Sequence, residues 1–396
     1  STQASKDVDP EITLNITLEH PEALSNKLPT VTVKDATGNT VKGVTVTRIG
    51  SGKYKVNFTS DKKNFNLTVG AGGHVSQTVN VSVSQRDATD PTLYGDASVK
   101  LRAYNLLIIS DSSSLIAPIV DSNKKLRGEG YYFNLNFFAG TDVTSGDAST
   151  QNKIKQMASK ADLVILDMID PSKVSKVEEI LAGTNAKIMA LRCSGFLNNP
   201  KIDSNSTYST ELAGYWNVGG EENMKRFQLK ALQKVGMSVN TSDDLSLIKY
   251  PTEFIYHTDS ANIFTTWNDY VNWYKKTGHY KSNAPWVGIM VQTSMFMNGN
   301  SEIHEEILRS LEAKGLNVVL AVTAVGGAAG DAARVNAINK YFMDGSTTRI
   351  KALIACFGFN LLIGNATGSS EVFEKMKIPI FAPIYAYSSD LEAWEN

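Results

Sequence analysis

The spacing of apolar side chains along the chain changes once, near residue 90. Before that point, Val, Thr and Ile alternate with polar residues in short runs such as EITLNITLEH and YKVNFT, and clusters such as ATGN and GAGG separate the runs. A period of two is typical of half-buried β-strands, and short strands divided by turns are typical of a sandwich. We therefore predict an all-β sandwich over residues 1–86 and a linker over residues 87–99.

Beyond residue 99, continuous apolar runs alternate with segments whose apolar residues recur every three or four positions. This alternation predicts parallel strands joined by helices, in doubly wound α/β lobes covered on both faces. We place a first lobe at 100–250 and a second at 251–396. The predicted strands of the first lobe are RAYNLLIIS, YYFNLNFFAG, ADLVILDMID and NAKIMALRCSG, with a helix near Gln151 to Ser159.

The clearest strand-loop-helix unit runs from Ala284 to Asn317. Trp286 to Gln292 is an apolar strand, Thr293 to Asn300 is a polar loop, and an amphipathic helix follows with Ser301 as its expected N-cap. Ligands of doubly wound sheets sit beyond the carboxyl ends of the strands. We therefore expect any ligand of the second lobe to lie near this loop.

Composition and charge exclude two classes of protein. Lys and Arg number 39 against 40 Asp and Glu, so the net charge of -1 argues against a nucleic-acid-binding protein. No apolar run approaches the roughly 18 residues of a membrane helix, so we predict no transmembrane segment in this chain. Cys193 and Cys356 each end an apolar run, which favours buried side chains over a disulfide.

Two weak signals indicate an exported, extracellular or cell-surface glycoprotein. The chain opens on the small polar stretch STQASKDVDPE, as a mature chain does after signal cleavage, although a chain shortened for expression would open in the same way. A chain rich in Asn, Ser and Thr also produces glycosylation motifs by chance. The candidate glycosylation sites are Asn15, Asn57, Asn66, Asn80, Asn205, Asn240 and Asn365.

Histidines and carboxylates in the second lobe are the candidate chemistry. These residue types bind metals and accept protons, and His257, after an apolar strand, is the candidate metal ligand, with an ordinary structural role as the open alternative. For His304 the competing interpretation is a solvated residue in the first turn of its helix. The full set of candidate substrate-binding residues is Tyr256, His257, Asp259, Asn298, Asn300, Ser301 and His304, with Glu305 and Glu306 beside the last.

Two further groups remain open between a site and an ordinary structural role. Asp111, Asp167, Asp170 and Arg192 fall at strand ends of the first lobe, where they could form a site or serve as capping and turn residues. An aromatic stripe at Trp267, Tyr270, Trp273 and Tyr274 shares a helical face, which favours packing over the stacking of a planar ligand.

Four separated segments resemble one family, the large subunit of cobaltochelatase and magnesium chelatase, or CobN family. They are YWNVGGEENMKR, YHTDS, PWVGIMVQTSMFMNGNSEIHEEILRSLEAKGLNVV and IPIFAPIYAYSSDLEAWEN. The likeness is good from Gly214 to Asn396 and loose from Leu101 to Gly214. It implies binding of a tetrapyrrole and, with ATP-hydrolysing partner subunits, insertion of cobalt or magnesium. The loops at Met295 to Ser301 and Gly326 to Asp331 would then hold a carboxylate such as a tetrapyrrole propionate.

The sandwich, through its hairpin GSGKYKVNFT, resembles the immunoglobulin-like modules of bacterial and archaeal surface proteins. Together with the possible processed start, this module suggests export, and the chain in this respect resembles surface-located CobN relatives of methanogenic archaea. The CobN family's chain continues beyond Trp394 and Glu395, so the resemblance implies an amino-terminal portion without the residues assigned to metal insertion. Because ATP is absent outside the cell, export favours binding over catalysis.

The expected function is therefore an exported CobN-like protein that binds a tetrapyrrole or a cobalt or magnesium ion, with no assigned catalytic residue and no certain cofactor. The alternative is a structural or adhesive cell-surface protein that reuses the chelatase fold and pairs with itself or with the cell wall. A third hypothesis is that the two lobes clamp a small solute, as periplasmic binding proteins do.

Overall fold

A computed structural model describes residues 9–144, 146–168, 170–192, 200–204, 206–299, 301–324, 327–357 and 367–383. The chain divides into two compact units. Unit 1 comprises Ser1–Trp216 and Met224–Ser246, and unit 2 comprises Asn217–Asn223 and Leu247–Asn396. The amino-terminal β-strands and the first α/β sheet thus share unit 1.

The first part of unit 1 is built from two β-sheets. Its strands are β1 (Pro10–Leu18), β2 (Thr30–Asp35), β3 (Thr45–Gly50), β4 (Lys53–Asn57), β5 (Asn64–Gly70), β6 (Gln77–Ser82), β7 (Ser84–Gln85) and β8 (Leu93–Leu101). The sheets have the orders β3-β4-β1-β8-β7 and β2-β5-β6. Ile12 and Leu14 of one sheet and Phe65 and Leu67 of the other are fully buried in one core. The sheets therefore form a β-sandwich, as the alternating pattern predicted.

Strand β8 differs from the prediction. It pairs in parallel with β1 along its whole length, from Pro10 opposite Leu93 to Leu18 opposite Leu101. Much of residues 87–99, predicted as a linker, is therefore a central strand of the sandwich. Gly95 and Asp96 are poor strand formers that obscured the pattern, yet the buried and exposed positions alternate along β8.

The second part of unit 1 is a parallel sheet. Its strands are β9 (Asn105–Ser110), β10 (Asn134–Ala139), β11 (Leu163–Asp167), β12 (Lys187–Ala190) and β13 (Ile202–Asp203), in the order β10-β9-β11-β12-β13. All neighbouring strands run parallel. In chain order this is 2-1-3-4-5, a doubly wound arrangement whose direction of winding changes between β9 and β11. The four strands predicted from the apolar runs are confirmed.

Helices connect these strands and lead into unit 2. They are α1 (Ile116–Gly128), α2 (Gly140–Thr144), α3 (Ala148–Lys160), α4 (Val174–Leu181), α5 (Thr207–Val218) and α6 (Glu221–Gln233), with short 3-10 helices at Pro21–Leu24, Ser113–Leu115 and Pro171–Lys173. Asp147 caps α3 by accepting a hydrogen bond from the Thr150 amide at 2.7 Å. This helix contains the segment predicted near Gln151 to Ser159.

Unit 2 contains a second α/β sheet of strands β14 (Glu253–Tyr256), β15 (Trp286–Gln292), β16 (Asn317–Thr323), β19 (Ile350–Cys356) and β20 (Ile380–Phe381), while β17 (Met343–Asp344) and β18 (Thr347–Thr348) form a separate hairpin. The order is β14-β16-β15-β19-β20. The last four run parallel, as predicted, but β14 runs antiparallel to β16 at the edge.

Helices cover both faces of the second sheet. They are α7 (Trp267–Lys276), α8 (Thr293–Met297), α9 (Glu302–Ala313), α10 (Gly327–Ala337), a π-helix at Ile338–Phe342 and α11 (Thr367–Met376). Leu308 of α9 packs on one face with Val318 and Leu320. Tyr270 and Tyr274 of α7 are fully buried against the other face. The aromatic stripe is therefore core packing, as the competing interpretation expected.

Two sequence predictions concern burial and membrane insertion. Cys356 is fully buried, as predicted, whereas Cys193 lies outside the described residues. Within the described part of the chain, every helix is too short or too polar to cross a bilayer.

An ion pair between buried Asp167 and Arg192 lies at the carboxyl edge of the first sheet, where the direction of winding changes. Asp167, at the end of β11, accepts hydrogen bonds from Arg192 Nε and Nη2 at 2.6 and 2.8 Å and from the Ser110 hydroxyl at 2.7 Å. Burial opposes the charged carboxylate, but these bonds outweigh it and lower the pKa of Asp167. Among the described residues, Asp167 therefore has a structural role, as the partner of Arg192 and Ser110.

The other strand-end acids of this lobe also have structural partners. Asp111 forms a salt bridge with Lys173 at 2.7 Å. Asp170 caps the following 3-10 helix by accepting a hydrogen bond from the Ser172 amide. Capping and pairing, the competing interpretation of these acids, therefore describe what their side chains do.

We expect Asp167→Asn to lower the free energy of unfolding by about 3–5 kcal/mol at pH 7, because it removes the carboxylate charge opposite Arg192 inside the protein. Urea denaturation followed by circular dichroism measures this loss. The folded pKa lies below the unfolded value of about 3.9, so the stabilisation is complete above that value and is lost as the pH falls through the folded pKa.

The difference between wild type and Asp167→Asn should consequently shrink in acid. Asp96→Asn, at a carboxylate whose side chain is 73% exposed, is the matched control and should stay within about 0.5 kcal/mol of wild type. A difference for Asp167→Asn that persists undiminished below the folded pKa would contradict the ion-pair explanation.

Candidate functional site

The direction of β14 divides the predicted site into two parts. Because β14 is antiparallel to β16, Glu253 lies opposite Thr323 at the carboxyl edge and Tyr256 lies opposite Leu320, nearer the amino edge. His257 and Asp259 continue in that direction. Asn298 and Ser301, by contrast, follow the carboxyl end of β15, where ligands of such sheets bind. The residues that we predicted as one site thus form two clusters in the structure.

Helix α9 lies alongside both clusters. Tyr256 donates a hydrogen bond to Glu305 Oε1 at 2.8 Å, near the start of the helix. Burial, followed by this bond, raises the pKa of Tyr256, so the phenol stays protonated. Ser301 directly precedes α9, as predicted, but its side chain does not cap the helix and lies 3.5 Å from the same Glu305 oxygen.

Asn298 has a structural role in the described residues. It is 5% exposed, and its Oδ1 accepts the amide hydrogen of Gly220 at 2.9 Å. Gly219 and Gly220 adopt φ values of 74° and 89°, and a Cβ on Gly219 would lie 2.6 Å from Asn298 Oδ1. The Gly-Gly turn and the loop after β15 are therefore joined through this side chain.

His304 is not on a solvated face. It is 1% exposed on α9, and burial lowers its pKa, which favours the neutral imidazole. Asn300, the remaining predicted loop residue, lies outside the described residues. Much of the predicted loop is itself helical, since α8 occupies Thr293–Met297.

His257 is fully buried between α7 and α9. Its Nε2 lies 3.0 Å from Glu312 Oε1, and its Nδ1 accepts the Asp259 amide hydrogen at 3.0 Å. Because an amide can only donate, the ring proton resides on Nε2 and is donated to Glu312. The Tyr274 hydroxyl donates to Glu312 Oε2 at 2.7 Å. Burial acts against the Glu312 charge, but these two donors outweigh it and lower the pKa of Glu312.

Asp259 lies beside His257 and contacts two more basic side chains. Its Oδ2 is 2.8 Å from His279 Nε2 and its Oδ1 is 3.2 Å from Arg309 Nη2. The hydrogen bond with His279 is the main cause that lowers the pKa of Asp259. Ligand-type atoms of His257, Asp259 and His279 all lie within 4.8 Å of one another. The cluster brings together two predicted residues and one, His279, that was not predicted.

The carboxyl edge holds two residues that the sequence interpretation missed. Thr323 ends β16 and lies opposite Gln292 of β15, and Thr293 follows Gln292 directly. The hydroxyl oxygens of Thr293 and Thr323 are buried and have no hydrogen-bond partner among the described residues. Their position at the ends of neighbouring strands was the available signal. For His279, the available signal was its position just after Gly278. This glycine follows the end of helix α7 and has a φ of 79°.

Helix α10 begins close to these hydroxyls in sequence. It starts at Gly327, shortly after β16 ends, and includes Gly327 to Asp331, which we predicted as part of a loop. Gly326 lies outside the described residues. The first turn of α10 contains no acid, whereas that of α9 contains Glu302 and Glu305. An anion is therefore better accommodated at α10 than at α9.

Residues 213–396 match the family model described as CobN/Magnesium Chelatase. No curated protein matches the chain. Among solved structures, the chain is similar to the Catalytic Subunit of Cobaltochelatase from Mycobacterium tuberculosis, with 12% identity and a TM-score of 0.40. That match covers 71% of this chain and 21% of the other, so the chain spans about a fifth of that protein's length.

Other similar structures belong to different classes. A LacI family transcriptional regulator from Bifidobacterium animalis subsp. lactis DSM 10140 has 9% identity and a TM-score of 0.21, over 70% of this chain and 76% of that chain. GanP, a glucose-galactose binding protein from Geobacillus stearothermophilus, has 12% identity and a TM-score of 0.19, over 71% and 77%. These scores are too low to support a functional inference, and the family match alone bears on identity. Residues 213–396 are thus similar to the CobN and magnesium chelatase family, over slightly less than half of the chain.

Proposed function

We propose that this chain is an exported CobN-related protein that binds a tetrapyrrole at the carboxyl edge of the second sheet and does not itself insert the metal. The observation that carries the proposal is the pair of buried hydroxyls of Thr293 and Thr323, which lack partners among the described residues in the family-matched segment.

A ligand carboxylate fits these hydroxyls chemically. A buried hydroxyl without a partner costs about 1–3 kcal/mol, so an acceptor that enters this edge recovers that free energy. A threonine hydroxyl at the end of a strand can donate a hydrogen bond to such a carboxylate. The propionate side chains of tetrapyrroles are carboxylates of this type, and the acid-free start of α10 favours the same negative charge.

The pairing of the other polar groups supports binding without turnover. Glu305 accepts a hydrogen bond from Tyr256, and His257 is bonded to Glu312, so these candidate proton acceptors already have protein partners. To act as a base for the pyrrole protons, one of these groups would first have to break its present hydrogen bond. Retention of the ligand is therefore the simpler role for the described residues.

We expect titration of the whole chain with a porphyrin or a corrinoid to shift the ligand's visible absorption band. Thr293→Val and Thr323→Val should each weaken binding by about 10–100-fold, because each removes one hydrogen bond to a charged group worth about 1.5–3 kcal/mol. Absorption titrations measure the dissociation constants.

Thr347→Val is the matched control, because Thr347 is exposed on the hairpin formed by β17 and β18, and its affinity should equal that of wild type. If no tetrapyrrole changes its spectrum, the binding proposal is wrong. Self-association or attachment to the cell envelope in the same preparation would then favour a structural or adhesive role.

Export is supported by the exposure of several candidate glycosylation sites. Asn66, Asn80 and Asn240 are exposed, whereas Asn15 and Asn57 are half-buried. Asn205 and Asn365 lie outside the described residues. Asn66 and Asn80 are cross-strand neighbours on the outer face of β5 and β6, joined by a hydrogen bond of 3.1 Å.

We expect glycopeptide mass spectrometry of the protein from its native cells to find glycans at Asn66, Asn80 or Asn240, with lower occupancy at Asn15 and Asn57 because folding covers those side chains. Recovery of the protein from the cell surface or medium is the accompanying measurement. Unmodified asparagines in protein recovered only from inside the cell would contradict export.

A further inference from the structure

Both ring nitrogens of His279 face oxygen atoms that can accept hydrogen bonds. The Thr277 hydroxyl donates to the Trp273 carbonyl at 2.7 Å, so it can only accept from His279 Nδ1, which lies 2.7 Å away. The other ring nitrogen, Nε2, faces the Asp259 carboxylate at 2.8 Å. A neutral imidazole has one proton for these two contacts. If Nδ1 carries that proton, Nε2 presents its lone pair to the carboxylate, where a cation can bridge the two groups.

The distances between the three ligand-type atoms suit a metal ion. His279 Nε2 and His257 Nδ1 lie 2.8 and 4.0 Å from Asp259 Oδ2. Ligands about 2.0–2.1 Å from a tetrahedral ion stand about 3.3 Å apart, which lies between these two distances. Small side-chain movements would therefore bring all three atoms to bonding distance. The Asp259 amide, which now donates to His257 Nδ1, would give up that bond to the ion.

Both histidines already have the outer partners that metal ligands use. His257 donates Nε2-H to Glu312, which leaves the Nδ1 lone pair directed toward Asp259. His279 donates Nδ1-H to Thr277, which leaves Nε2 directed toward the same carboxylate. Metal-binding histidines typically donate their second ring N-H to a carboxylate, carbonyl or hydroxyl group, and this fixes the tautomer.

We propose that His257 Nδ1, Asp259 Oδ2 and His279 Nε2 bind a divalent first-row transition ion, Co²⁺ or Zn²⁺. Two imidazoles and one carboxylate are ligands for these ions, whereas Mg²⁺ prefers an all-oxygen set. Asp259 is 40% and His279 is 19% exposed, so an ion has access from solvent while His257 remains buried. The site is separate from the carboxyl edge and does not depend on tetrapyrrole binding.

The test is isothermal titration of the full chain with CoCl₂ and with ZnCl₂, with no tetrapyrrole present. We expect one ion per chain and, for Co²⁺, visible absorption of a low-coordinate complex. Asp259→Asn and His279→Ala should abolish binding at the same concentrations. Glu312→Gln should weaken binding about 10–100-fold. Of the three proposed ligands, Glu312 contacts His257 alone, and it would not contact the ion.

Asp344→Asn, at a carboxylate whose side chain is 79% exposed, is the matched control and should bind as wild type does. Circular dichroism of each variant separates loss of binding from loss of folding. X-ray absorption of the zinc-loaded protein should show two imidazoles at the ion. No binding by folded wild-type protein, or a single imidazole at the ion, would overturn the proposal.

Discussion

The carboxylate of Glu312 holds together three elements of unit 2. It accepts hydrogen bonds from His257, which follows β14, and from Tyr274 of α7, while Glu312 itself belongs to α9. The Tyr274 hydroxyl in turn accepts the Val318 amide hydrogen of β16 at 3.2 Å. A half-buried charge is tolerated only where donors compensate for the lost water, and here they keep the carboxylate ionised. The buried position of His257, and hence the local geometry of Asp259, follows from this interaction.

The two edges of the second sheet differ in how well their polar groups are satisfied. Near the amino edge, each polar side chain around His257 has at least one partner, and His279 has partners on both ring nitrogens. At the carboxyl edge, two buried threonine hydroxyls have none among the described residues. A site with satisfied donors suits a small ion that replaces a proton, whereas unsatisfied donors suit a larger ligand that supplies acceptors. The proposed metal and the proposed organic ligand therefore belong to different edges of the sheet.

The sequence predicted most strands, because continuous apolar runs such as Leu106–Ile109 are buried on both faces of a sheet. It did not predict β8, whose Gly95 and Asp96 resemble turn residues. Nor could periodicity show that β14 runs antiparallel, since the pattern of buried positions is the same in either direction. Because β14 runs antiparallel, His257 lies toward the amino edge of the sheet, whereas Asn298 lies at the carboxyl edge. His279 was missed because it contacts Asp259 through the tertiary fold, from twenty positions along the chain.

Three of the four segments that carry the family resemblance contact one another in unit 2. NVGGEEN meets MFMNGN through the Gly220 amide and Asn298, with glycine required at 219 because a Cβ would approach Asn298 Oδ1 to 2.6 Å. YHTDS meets the helix EIHEEILRSLEA through Tyr256 with Glu305 and His257 with Glu312. These contacts stabilise the fold. The presence of these motifs is therefore explained by fold stability alone, without a bound ligand. The functional hypotheses therefore rest on a few groups outside these contacts: the hydroxyls of Thr293 and Thr323, and the ring nitrogens that His257 and His279 direct toward Asp259.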